Sequence, residues 1–180
     1  MGEIKTPRLR MTLAGIDDLP ALEEIENECD RYFDFDPESE DYYDPSLKEC
    51  LATGHIPPGI DKDNYIRNNY NFYCIWQSDI LIGFLTYYLS YRQEDMAYIN
   101  VLYVKESHRK NGIGAEILEG IYQRLRSLHI REIRLHCSLR NAIALQFWVK
   151  NGFDRIINVE CNGNLYPENF GGIELAKTIA

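Results

Sequence analysis

The sequence predicts a single mixed α/β (α+β) domain, built on a central mixed sheet of about seven strands flanked by helices. Three observations carry this. Strand-like and helical periodicities succeed one another along all 180 residues, with no internal repeat, low-complexity tract or interdomain linker. A chain of that length buries roughly 70% of its unfolded surface, so one core holds it without a disulfide or a metal. The composition, 45% hydrophobic and 26% charged, is that of an ordinary globular protein.

The elements follow in order. Lys5 to Leu13 alternates as a first strand. Asp17 caps a helix through about Cys29, with Pro20 in its first turn. Aromatic and acidic residues mix from Tyr32 to Tyr43, and a short helix lies around Pro45 to Ala52. Gly54 to Gly59 is a loop, because Pro57 and Pro58 between glycines break both periodicities. Asp63 to Asn69 reads as another short helix. From Asn71 the pattern turns to β. Asn71 to Gln77 and Ile80 to Tyr91 are rich in aromatic and β-branched residues, with Ser78-Asp79 as a tight turn between them. Ala97 to Val104 is the third strand of this meander. Gly112 to Leu128 places Ile113, Ile117, Leu118, Ile121, Leu125 and Leu128 at helical spacing. Arg131 to Cys137 is a buried-type strand. Asn141 to Lys150 is a helix stopped by Asn151-Gly152. Asp154 to Cys161 and Gly172 to Ile179 are two final strands.

The net charge of -9 is unevenly spread. Fourteen acids between Asp17 and Glu49 face only Arg31 and Lys48, whereas Lys105 to Arg140 holds eight bases and four acids. Overall acidity argues against nucleic acid as a partner. The asymmetry suggests a basic half facing an anionic ligand and an acidic arm facing a cationic one. The alternative is that both are solvated faces. Cys29, Cys50, Cys74, Cys137 and Cys161 are odd in number and lack zinc-ligand spacing, so they read as buried free thiols and no metal is expected. With no signal peptide and no membrane span, the expected location is the cytoplasm. Monomer and homodimer both stay open.

The sharpest local feature runs from Val104 to Gly114 and joins a strand to a long helix. A helix N-terminus carries unpaired N–H groups and a partial positive charge. Glycines at Gly112 and Gly114 let a phosphate approach those groups, and Arg109 and Lys110 add charge beside them. A Walker loop is absent, and so is a full dinucleotide fingerprint, since Ile117 stands where its third glycine would be.

The stretch Arg109-x-x-Gly112-x-Gly114 before a helix resembles the acetyl-CoA motif of the GCN5-related N-acetyltransferase (GNAT) family. A second stretch, Asn141-x-x-Ala144-x-x-Phe147-Trp148-x-x-x-Gly152-Phe153, is similar to that family's later signature, and the two span about the last half of the chain. The resemblance implies a single GNAT-like domain over residues 1–180. Residues 1–70 form its acceptor side, 71–153 the sheet and acetyl-CoA motifs, and 154–180 the last strands. It implies acetyl-CoA as donor, its pyrophosphate held by Arg109, Lys110, Asn111, Gly112, Ile113 and Gly114. It implies a strand that splays from its neighbour, with backbone N–H groups from about Leu102, Tyr103 and Val104 offered to the acetyl oxygen. Asn141 then holds the pantetheine arm or caps the last helix, and Phe147 and Trp148 lie on the coenzyme side. Family members often have tyrosine where Trp148 stands, as an acid for the departing thiolate. An indole N–H donates but is not a usable acid.

Alternation puts Tyr98, Asn100, Leu102 and Val104 on one strand face. Tyr98, or a water held by Asn100, is the proposed proton route, unless Tyr98 is simply core or acceptor-pocket wall. His108 and His136 read as structural, and His55 as a weak acceptor-site candidate. The expected reaction is acetyl transfer to a primary amine, a small cationic one given the acidic arm and its aromatic residues. The alternatives are a protein N-terminus or lysine as acceptor, and a non-catalytic acyl-CoA-binding module.

Overall fold

The computed structural model describes residues 2–29, 70–90, 93–161 and 171–179. The stretches read as an aromatic-acidic segment from Tyr32, short helices around Pro45–Ala52 and Asp63–Asn69, and the Gly54–Gly59 loop lie outside them, as does His55. Within them a single sheet of eight strands runs in the order β1-β2-β3-β4-β5-β6-β8-β7. The strands are β1 (Ile4–Lys5), β2 (Arg10–Leu13), β3 (Tyr70–Gln77), β4 (Ile80–Leu89), β5 (Met96–Val104), β6 (Glu132–Ser138), β7 (Arg155–Cys161) and β8 (Gly171–Thr178). Every pairing is antiparallel except β5 with β6.

The eighth strand comes from Pro7. The expected first strand folds back on itself, with the Thr6 N–H bonded to the Leu9 carbonyl at 2.9 Å, so Ile4 pairs Met11. Proline has no ladder donor, so a turn forms where alternation alone reads on. Left-handed backbone closes β3 at Ser78 and β4 at Ser90, each with φ 54°.

Among the described residues three helices cover the two faces: α1 (Leu19–Cys29), α2 (Ile113–Ser127) and α3 (Ala142–Lys150). Helix α1 inserts Leu22 and Ile25, both fully buried, into an aromatic cluster with Phe72, Phe84 and Tyr103. Helices α2 and α3 cover the opposite face, where Ile117, Ile121 and Leu125 meet Ile133, Leu135 and Phe153. Each such side chain contributes about 1.5–3 kcal/mol by leaving water. The start of α1 differs from expectation. Asp18, rather than Asp17, reaches back to the Gly15 N–H at 2.8 Å, because a 3-10 turn over Ile16–Asp18 precedes the helix.

Cys74 and Cys137 are buried, and burial pushes the Cys137 thiol up to about 11. Cys161 is exposed on the edge strand, against the expectation of buried thiols. Among the described residues no helix is long and apolar enough to cross a membrane.

Candidate active site

A gap opens where the parallel ladder stops. β5 and β6 pair from Met96↔Glu132 to Ile99↔Leu135 and no further. The next residue, Asn100, is a β-bulge: Ile99 faces Tyr87 and Val101 faces Thr86, leaving Asn100 between them. The inserted residue reverses the parity of all that follows. Ala97, Ile99, Leu102 and Val104 pack toward α2 and α3, while Tyr98, Val101 and Tyr103 pack toward α1. Tyr98 therefore does not share a face with Leu102 and Val104, as uninterrupted alternation requires. Asn100 itself is exposed.

The bulge also sorts the backbone donors. Val101 gives its N–H to Thr86 Oγ1 at 3.1 Å. Lys105 gives its N–H to the Ile82 carbonyl at 2.8 Å. Both point toward β4. Alternation between them turns the Leu102 and Val104 N–H groups toward the gap and the Tyr103 N–H toward β4. Gly83 lets β4 come this close, since a Cβ there would collide with the Tyr103 carbonyl.

Beyond Val104 the chain makes a 3-10 turn over Glu106–His108, where His108 Nδ1 meets the Ser107 hydroxyl at 2.9 Å. It then passes through two left-handed residues, Lys110 at φ 64° and Gly112 at φ 77°. Gly112 is the N-cap of α2 and supplies no capping side chain. The N–H groups of Ile113, Gly114 and Ala115 thus have neither a side-chain cap nor an intrahelical partner. Asn111 and Gly112 are exposed, and a Cβ on Gly112 would find only Arg8 Nη2 nearby, at 3.6 Å. Open space, unspent donors and adjacent positive charge fit a pyrophosphate.

The second glycine of the motif has another cause. A Cβ on Gly114 would strike the Phe147 ring at 2.7 and 2.9 Å, so this glycine lets α3 pack over the start of α2. Arg109 turns back on the strand: its Nε donates to the Val104 carbonyl at 2.6 Å and its guanidinium lies 5.0 Å over the Tyr103 ring. The cationic side chain left exposed at the turn is Lys110.

Two braces escaped sequence reasoning. In the first, Arg8 binds both sides of the turn, giving Nε to Glu116 at 2.6 Å and Nη1 to the Asn111 carbonyl at 3.0 Å. Glu116 also accepts from the Thr6 hydroxyl at 2.6 Å and the Arg8 N–H at 2.8 Å. Burial alone would raise the Glu116 carboxyl, but those hydrogen bonds and the Arg8 charge hold it below its ordinary range. In the second brace, Glu28 of α1 accepts from the Tyr103 hydroxyl at 2.9 Å and the Glu106 N–H at 2.8 Å. Burial again opposes, and the two hydrogen bonds with Arg109 and Lys105 hold its carboxyl low. No local pattern announces either brace, because the partners come from distant segments.

On the far side of the gap, Asn141 caps α3, its Oδ1 accepting from the Ala144 N–H at 3.0 Å. Trp148 is buried between Phe147 and Phe153, with ring centroids 4.9 and 5.2 Å away. The face toward α1 is polar here: Arg134 of β6 pairs Tyr98, and His136, two residues on, pairs Glu174 of β8. Arg134 bonds Glu132 at 2.5 Å and reaches Glu174 at 3.5 Å. Among the described residues no group of His, Cys, Asp and Glu side chains could hold a metal.

Against known proteins, the family model described as the acetyltransferase (GNAT) family matches residues 19–153. An acetyltransferase from Thermus thermophilus superposes with a TM-score of 0.71 at 18% identity, covering 98% of this chain and 99% of that one. An acetyl transferase from Salmonella typhimurium that modifies the N-terminal serine of a 50S ribosomal subunit protein gives 0.71 at 16%, covering 99% and 100%. A ribosomal alpha-N-protein acetyltransferase in complex with coenzyme A gives 0.74 at 16%, covering 98% of each. At these identities the likeness is one of fold. No curated protein matches the sequence.

Proposed function

Because this chain belongs to the acetyltransferase (GNAT) family, we propose that it acetylates a cationic primary amine at the gap between β5 and β6. Members of that family are acetyl-CoA-dependent acetyltransferases, so donor and reaction class follow from membership. The observation that carries the acceptor class is the division of charge between the two faces. The cradle face presents Arg8, Lys110 and the uncapped start of α2. The other carries α1 and its 3-10 turn, with six acids and no base from Ile16 to Cys29. Helices α2 and α3 close the first face, so an acceptor reaches the gap from the α1 side.

Acetyl-CoA brings the acetyl group as an activated thioester. The N–H groups of Ile113 to Ala115, with Lys110 beside them, hold its pyrophosphate in this reading. The Leu102 and Val104 N–H groups point where a thioester carbonyl oxygen gains negative charge, the kind of donor that stabilises an acyl-transfer transition state. Holding amine and thioester together supplies much of the remaining rate, up to ~7–11 kcal/mol in well-oriented systems.

The test is thiol release from acetyl-CoA with four acceptors: spermidine, a peptide with a basic N-terminal residue, a peptide with N-terminal serine, and glutamate. Spermidine or the basic peptide should react fastest, and capture should weaken with salt, as screening near ~8 Å at physiological ionic strength requires. Replacing Asp34, Asp36, Glu38 and Asp41, which lie outside the described residues, by their amides should raise the acceptor's KM and leave acetyl-CoA affinity unchanged. Glutamate as best acceptor would reject the cationic assignment. The serine peptide as best acceptor would select the second reading, a protein N-terminus, as for the Salmonella structure.

A further inference from the structure

The proposed reaction leaves one need unmet. An amine that arrives as an ammonium must lose a proton before it can attack, and Tyr98 is packed against the α1 cluster rather than set at the mouth of the gap.

β6 offers another group there. The last rung of the parallel ladder is Ile99↔Leu135, so His136 stands one residue past it, at the level of the bulged Asn100 across the opening. Ile133, Leu135 and Cys137 point into the core under α2 and α3. His136 therefore projects to the α1 face, from which the acceptor comes. Its side chain is 41% exposed. Along a strand, two residues advance the chain by about 6–7 Å. A base at the level of Asn100 is thus about one small amine away from the donors at Leu102.

The site around the ring is specific. Gly172 of β8 lies directly beneath it, and a Cβ there would overlap the imidazole. Glu160 of β7 faces Gly172 across the β7–β8 ladder, and its Oε2 stands 4.0 Å from His136 Nε2. On the same face, Glu174 of β8 is the cross-strand partner of His136, and Arg134 lies two residues earlier on β6. Arg134 is engaged by Glu132 and Glu174, so it is held along the sheet rather than over the imidazole.

We infer that His136 is the general base for the acceptor amine, with Glu160 and Gly172 as positioning residues; this rests on the acetyl-transfer reading above. One ammonium proton passes to neutral imidazole and from there to solvent. The freed nitrogen lone pair forms the C–N bond to the acetyl carbon. The C–S bond breaks, its electron pair leaves on sulfur, and the second nitrogen proton ends on that sulfur as CoA thiol. Protonated His136 cannot act, so the pH–rate profile of the wild type should carry an acidic limb that belongs to this side chain.

The experiment compares wild type, His136→Gln and Gly172→Ala, with spermidine or whichever panel amine reacts faster. Gly172→Ala keeps the histidine and moves only its ring, so folding does not depend on losing it. Both variants should keep the acetyl-CoA-induced melting shift and acetyl-CoA KM. Both should lose ~10²-fold or more in kcat, the scale of general base catalysis. The acidic limb of kcat/KM should disappear in His136→Gln. In wild type that limb should stay at one pH when acceptors of different amine pKa are compared. A limb that tracks the acceptor's own pKa overturns the inference, whether or not either variant folds. So does wild-type kcat in both variants. If wild type itself acetylates no amine, the reading beneath it falls instead.

Discussion

Two strand-to-helix turns border the gap, and they end differently. After β6 the chain enters α3 through Asn141, whose own side chain takes the Ala144 N–H at 3.0 Å. After β5 it enters α2 through Gly112, left-handed and with no capping side chain. Both are helix N-termini with the same dipole. One has spent a donor on its own chain; the other keeps its donors and is braced from outside by Arg8. A helix start becomes an anion site when its donors are unspent and its backbone is held still by something other than the anion. Substitutions on either side of that contrast should have separable effects.

The largest effect is expected at Gly112. Acetyl-CoA at 100 times its Kd adds about 2.7 kcal/mol to wild-type stability, read as a melting shift. Gly112→Asp should abolish that shift by placing a carboxylate where the proposed site puts the phosphate. Gly112→Asn, which tolerates left-handed backbone equally, should keep part of it. A full shift in the aspartate variant would place the pyrophosphate elsewhere. Gly114→Ala should act differently, through the fold. The added methyl presses on Phe147, and overpacking of this kind costs about 1–3 kcal/mol. The apo protein should melt lower, and Phe147→Leu in the same chain should recover most of the loss. No recovery would mean that Gly114 serves the ligand and not the packing.

The two glycines show what the sequence made legible. Their spacing before a helix marked the cradle, and the periodicity of Ile113, Ile117, Ile121 and Leu125 marked the helix, because both signals lie within a few turns of chain. The reason for Gly114 did not show, since Phe147 reaches it only after folding. The Asn100 bulge was invisible for a related cause. Alternation counts residues, and no side chain there announces that one is extra, so a plain count puts Tyr98 on the face of Leu102 that the bulge denies it. Arg8 and Glu116 are 108 residues apart in sequence, beyond any local window. His136 reads in sequence as one more strand residue, because nothing local shows that the parallel ladder ends just before it.

Arg8 comes next in size. Removing the guanidinium frees the Asn111 carbonyl and loosens the turn that presents the donors. Arg8→Ala should weaken acetyl-CoA binding about tenfold, or ~1.4 kcal/mol, measured by titration. pH offers a second handle. The Glu116 carboxyl is held below its ordinary range, so its contribution is complete above the unfolded carboxylate range. That contribution is lost as pH falls through the lower folded value. In Glu116→Gln this acid-side decline in apo stability should shrink. An unchanged affinity in Arg8→Ala would show that the turn holds its shape unaided.

The smallest effect tests the closed turn itself. Asn141 stands in a motif where the pantetheine arm and the helix cap compete for one side chain. Its Oδ1 is committed to the Ala144 N–H, and the Leu145 N–H returns to the Asn141 carbonyl at 2.9 Å. If capping is its work, Asn141→Ala should cost about 1 kcal/mol of apo stability, within the usual 0.5–2 for a lost cap. Asn141→Ser and Asn141→Asp, which also cap, should recover it. Acetyl-CoA affinity should stay within about threefold in all three, because a factor of ten would need ~1.4 kcal/mol of direct contact. The opposite pattern is equally definite. Asn141→Asp keeps the capping oxygen but replaces the amide donor with an acceptor. A loss of binding in that variant with stability intact would mean that the amide Nδ2 reaches the ligand. The two turns would then differ in kind of contact, and not in whether they make one.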